Sequence, residues 1–133
     1  MKITVARLKE LGACKDQVRL FEETFGPSVV VTEALCAQHV DKFSWIWAVK
    51  KLLPAQAWEA YDLAMMPAWE AYRLAMAPAR RAYDLAVAQA FGAYDPARAR
   101  AWEVYKLALM RAQETYDLAK ARAFGQLAEQ QED

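Results

Sequence analysis

From Ala57 to Asp133 the chain counts in elevens. Seven consecutive blocks follow without insertion: AWEAYDLAMMP (57–67), AWEAYRLAMAP (68–78), ARRAYDLAVAQ (79–89), AFGAYDPARAR (90–100), AWEVYKLALMR (101–111), AQETYDLAKAR (112–122) and a decayed AFGQLAEQQED (123–133). Position 1 is alanine in every block. Position 5 is tyrosine in the first six, which accounts for all the tyrosines of the protein, and position 8 is alanine in the same six. Eleven residues in three turns is ~3.67 per turn, close to the ~3.6 of an α-helix, so each block position keeps nearly one face. Positions 1, 4, 5 and 8 then form a stripe of alanine and tyrosine. Position 2 (Trp58, Trp69, Phe91, Trp102, Phe124) and position 9 flank one edge, position 11 the other, and positions 3, 6 and 10 lie opposite. Alanine lets a second helix approach closely, and tyrosine adds contact area with a hydroxyl that wants a partner. Such a stripe cannot bury itself.

The expected class is therefore all-α: a small N-terminal helical module, residues 1–53, followed by a helical extension, residues 54–133. Two arrangements of the extension are open. Gly92 and Asp95-Pro96 carry stop and start chemistry for a break at 92–96, which gives an antiparallel hairpin. Unbroken phasing through Gly92 gives one long helix instead, curved by Pro67 and Pro78, whose kinks fall eleven residues apart on one face.

The module reads as four short helices. Thr4 caps Val5–Leu11, which Gly12 stops. Cys14–Phe25 ends at Gly26-Pro27, and Thr32 caps Glu33–His39. Val29–Val31 is extended but too short for a sheet on its own. The last helix, about Asp41–Leu53, holds Trp45 and Trp47 on different faces, as in a segment buried on more than one side.

Charge does not choose a partner. Lysine plus arginine and aspartate plus glutamate both number 17. No global field draws the chain to nucleic acid or membrane. No signal-like segment and no run of roughly 20 apolar residues is present, so a soluble, cytoplasmic protein is expected. Two cysteines, Cys14 and Cys36, suit a reducing compartment.

Catalytic chemistry has little to stand on. Cys36 and His39, three residues apart, could share a helix face as a thiol–imidazole pair. A small buried cysteine and a histidine at a helix C-terminus explain them better. Cys14, Cys36 and His39, with Asp41 a poor fourth, fall short of a structural zinc set. No phosphate loop or acid–base pair is recognisable, so neither an enzyme nor a cofactor is expected.

Binding surfaces have more. The aromatic stripe and its edge, Trp58, Tyr61, Trp69, Tyr72, Tyr83, Trp102, Tyr105 and Tyr116, are the candidate partner-binding residues. Trp58, Met65, Met66, Trp69 and Met76 form a Trp/Met edge suited to docking or to packing on the module. Later blocks carry Arg80, Arg81, Arg98, Arg100, Arg111, Lys120 and Arg122, a possible basic patch for phosphate. Interleaved acids dilute it, and flanking arginines also cover helix seams.

The stretch LKELGACKDQVRLFEETFG followed by VVVTEALCAQHVDKFSWIWAVKKLL resembles a module that opens many small bacteriophage and prophage proteins of unknown function. The matching residues are Leu8, Leu11, Gly12, Ala13, Cys14, Phe21, Phe25, Gly26, Trp45, Trp47 and Leu52. The resemblance implies a phage origin and a counter-defence role, such as anti-CRISPR inhibition, exerted by binding a host or defence protein. It assigns no site residue. Self-association as a coiled-coil component and nucleic-acid binding are the alternatives.

Overall fold

The computed structural model describes residues 1–89 and 96–131. In chain order the elements are β1 (Lys2–Thr4), α1 (Val5–Glu10), α2 (Lys15–Phe25), β2 (Ser28–Val30), α3 (Glu33–Gln38), α4 (Trp45–Leu52), α5 (Gln56–Gln89) and α6 (Pro96–Glu129). Among the described residues the fold is all-α apart from one pair of three-residue strands. It divides into two compact units, Met1–Met65 with Leu118–Asp133, and Met66–Asp117. The repeat thus contributes both its ends to the first unit and its middle to the second.

In the first unit the expected caps form. Thr4 Oγ1 accepts from the Arg7 N–H at 3.0 Å and Thr32 Oγ1 from the Leu35 N–H at 3.1 Å, each satisfying a donor that the first turn leaves open. Gly12 and Gly26 follow α1 and α2 with φ of 79° and 78°, a conformation that disfavours any side chain. Ser44 caps α4, so this helix begins later than the sequence predicts, at Trp45. Trp45 is buried and its Nε1 donates to the Val40 carbonyl at 2.8 Å, whereas Trp47 is half-buried and Ile46 exposed. The valine run does find a partner: β2 pairs antiparallel with β1 in the register Ile3 to Val29.

Around these elements lies a core of Ile3, Leu8, Val18, Phe21, Val31, Trp45, Val49 and Leu53. Both ends of the repeat complete it. Tyr61 and Met65 enter from α5, and Phe124, 2% exposed, packs 5.7 Å from Trp45. Gly125 lies so close to the start of α3 that a Cβ there would come within 2.6 Å of Glu33 Cα. Glu129 Oε1 accepts from the Glu33 N–H at 2.6 Å and closes another open donor of α3.

The second unit is an antiparallel helical hairpin. Tyr72 meets Tyr116 at 5.7 Å and Tyr83 meets Tyr105 at 5.6 Å between ring centroids. One step of eleven along α5 is matched by one step of eleven backwards along α6. The single long helix is thereby excluded. The expected break at Gly92–Pro96 lies outside the described residues except for Pro96, which stands where a missing N–H costs nothing, as the first residue of α6. α5 runs through Pro67 and Pro78, both exposed.

Candidate functional site: an aromatic groove on the repeat hairpin

The seam of the hairpin is rotated from the stripe read in the sequence. Position 4 stays out: Ala71, Ala82 and Val104 are exposed. Position 9 turns in, with Met76, Val87 and Leu109 half-buried beside the tyrosines. The reason is area. A methionine, valine or leucine removes far more apolar surface from water than an alanine methyl, so the helices turn toward position 9.

That rotation gathers the aromatics into two matching triads. Trp69 and Tyr72 stack at 5.6 Å on α5 and receive Tyr116 from α6. Trp102 and Tyr105 stack at 5.8 Å on α6 and receive Tyr83 from α5. The tyrosines are engaged within the chain. The tryptophans cover them from outside and remain 54% and 44% exposed. Between the triads lies a groove of about 310 Å³ floored by Tyr72, Met76, Tyr105 and Leu109 and edged by Trp69, Arg73 and Arg80.

The charges at the groove's edge are matched locally. Arg73 donates to Glu70 at 2.6 Å, and that hydrogen bond and charge hold its guanidinium above the ordinary arginine value. For Arg80 the Tyr105 hydroxyl acts first and the Asp84 carboxylate, 3.4 Å away, second, again upward. Lys106 pairs with Glu103 at 3.0 Å and lies 5.9 Å from the Trp102 ring centroid. These are exposed pairs, and solvent screens them.

The other expected site residues are spread more widely. Trp58 stacks on Tyr61 at 5.6 Å, with Lys50 4.7 Å from its ring, and both belong to the first unit, as does buried Met65. The Trp/Met edge thus divides: half-buried Trp58 and buried Met65 belong to the first unit, while Met66 and Trp69 stay exposed. The basic residues divide too. Arg80, Arg81, Arg98, Arg100 and Arg111 belong to the second unit, Lys120 and Arg122 to the first. Arg81, Arg100, Arg111 and Arg122 are exposed, and Arg98 and Lys120 half-buried.

Cys14 and Cys36 are free thiols, the first exposed and the second buried. Burial, helped by Glu129 and then Glu33, pushes the Cys36 thiol up to about 12, so it stays protonated at neutral pH and is no thiolate nucleophile. His39 packs edge-on against Phe25 at 5.0 Å, and its Nδ1 is buried without a hydrogen-bond partner. Among the described residues no group of three or more His, Cys, Asp or Glu could hold a metal ion. Nor is any helix long and apolar enough to cross a membrane.

Comparison with family models, curated proteins and solved structures finds no match to this chain.

Proposed function

We propose that this protein is a non-enzymatic binding factor whose repeat hairpin takes an amphipathic helix of another protein. One observation carries the reading. Among the described residues of the second unit, Ala112 is the sole buried apolar residue, while Trp69, Leu74, Leu85, Trp102, Leu107 and Met110 are each more than 40% exposed. Two helices in one layer have no interior in which to place such side chains. Exposed aromatic, methionine and leucine side chains in such number are the material of an interface. The groove of about 310 Å³ between Trp69 and Tyr105 offers a seat for apolar side chains from one face of a helix. Its arginines already hold acids, so the complement is an apolar stripe rather than a phosphate backbone.

The resemblance of the N-terminal module to phage proteins extends the proposal to a counter-defence inhibitor or adaptor that occludes or bridges a host protein. The test compares captures from a bacterial lysate by the wild type and by Trp69→Ser/Trp102→Ser, followed by titration of whichever protein the variant loses. A purified partner bound at least tenfold more weakly by the variant supports the reading. Equal binding by both forms removes it, as does DNA or RNA binding at low salt that weakens steeply as salt is raised.

Self-association is the second reading. It is favoured by the exposed leucines at position 7, Leu74 and Leu85, whose eleven-residue step a second copy would match. Sedimentation decides it: a mass above one chain that falls on Leu74→Gln/Leu85→Gln supports it, and a monomer throughout excludes it.

A further inference from the structure

The first unit contains a cavity of about 390 Å³, bounded by α2, α3, α4 and the end of α6. Small-molecule sites span roughly 300–1,000 Å³, and a cavity of about 150 Å³ already admits benzene. Its walls are aromatic. Phe25 and Phe43 stack at 5.8 Å with 23° between their planes, and Phe21, Trp45 and Phe124 join them. Among the described residues no Asp, Glu, Lys or Arg lines it. Cys36 does line it and, remaining a thiol, brings no charge. Gly12, Cys14 and Ser44 are lining residues that are also exposed, and they mark its mouth. His39 is part of the wall, and its buried Nδ1 has no hydrogen-bond partner, a state that a folded protein pays for.

We infer that this cavity is a binding site for a small uncharged molecule with a flat apolar body and one hydroxyl, the hydroxyl bonding to the His39 imidazole. With no Asp, Glu, Lys or Arg among the described lining residues, the walls offer an ionic ligand no carboxylate, ammonium or guanidinium to compensate its desolvation. The stacked and edge-on rings favour a flat body. A hydroxyl both donates and accepts, so it suits an imidazole whichever ring nitrogen carries the proton. All lining residues belong to the first unit, and the site stands whether or not the hairpin takes a partner.

The probes are 2-naphthol and naphthalene, titrated into the full chain by calorimetry, with NMR on the same samples. 2-Naphthol is expected to saturate one site per chain and to bind about five- to tenfold more tightly than naphthalene, the worth of one hydrogen bond. Intermolecular cross-peaks should connect it to the rings of Phe25, Phe43 and His39, a readout that needs no variant. His39→Phe, which keeps an aromatic ring against Phe25, should bring 2-naphthol down to the affinity of naphthalene. Ala13→Phe, which fills the cavity from a half-buried lining position, should abolish binding of both while circular dichroism shows the fold retained. Absence of saturable binding, equal affinity of the wild type for the two probes, or cross-peaks to Trp69 and Trp102 instead would overturn the inference.

Discussion

The two units use helices to opposite ends. The first closes a varied set of short elements around large side chains: Phe21, Trp45, Val49, Tyr61, Met65 and Phe124 are all buried. The second has longer and more regular helices, yet among its described residues only an alanine is buried. Regularity and burial are different properties. A hendecad fixes a helix and a stripe, but one stripe against another makes a seam, not a core. Interior volume needs elements that meet at several angles, which the irregular N-terminal sequence supplies. Its stability is therefore expected to reside in contacts already made, and that of the hairpin in contacts still to be made.

That contrast can be broken with two aromatic truncations of the same repeat position. Phe124 and Trp102 both occupy position 2. Phe124→Ala should cost about 3–5 kcal/mol, the usual range for a buried aromatic, and lower Tm by many degrees. Trp102→Ala removes a larger side chain, but one that is 44% exposed, and should cost about 1–3 kcal/mol through two lost ring contacts, stacked on Tyr105 and tilted on Tyr83. Urea unfolding of the two variants measures both values. Equal losses would mean that the hairpin carries as much of the stability as the core does.

Gly125 sharpens the same contrast with a smaller effect. Replacing a mid-helix glycine by alanine ordinarily gains about 1 kcal/mol. At Gly125 the added Cβ meets backbone at 2.6 Å, and backbone cannot swing aside as a side-chain tip can. Overpacking of this kind costs about 1–3 kcal/mol, so Gly125→Ala should destabilise despite its better helix propensity. A rise in Tm on this substitution would show that α3 can retreat from α6.

How these features appear in the sequence depends on how local their causes are. Thr4, Thr32, Gly12 and Gly26 were legible because a cap or a stop is settled within one turn. The pairing of Lys2–Thr4 with Ser28–Val30 was not: each strand is three residues long and its partner lies beyond two helices. The hairpin was legible as one of two arrangements, through Asp95-Pro96. The tripeptide Ala-Phe-Gly, however, occurs both at 90–92 and at 123–125, and in the second place the helix continues through it. What looks like decay of the last block is the docking face of α6, and an isolated glycine beside a phenylalanine inside a helical pattern was the available clue to a close approach. The rotation of the seam toward position 9, and with it the groove, follows from comparing areas across two helices in one register, which a projection of a single helix does not contain. For Cys36 and His39 the sequence favours a structural reading over a reactive pair, and with Cys14 they fall short of a metal set. The structure brings all three together as walls of one apolar cavity.

The smallest effect expected is a slope. In the second unit the shifted groups, Arg73 and Arg80, are moved by the neighbours they bond to, Glu70 for the first and Tyr105 then Asp84 for the second, with burial acting against the shift. In the first unit burial leads, and it raises Cys36 from 9.0 to about 12. Linkage fixes the sign. Above about pH 9 the unfolded chain releases the Cys36 proton while the folded chain keeps it. The unfolded state then binds fewer protons, and stability falls as pH rises toward about 12. Below pH 9 both states hold the proton and the contribution of this group is flat. Other groups titrate in the same window, so the informative quantity is the difference between the wild type and Cys36→Ala. Stability measured by urea unfolding should decline less steeply between about pH 9 and 11 in the variant, whatever its stability at pH 7. Parallel slopes would mean that solvent reaches the thiol, and the interior of the first unit would then be no drier than the seam of the second.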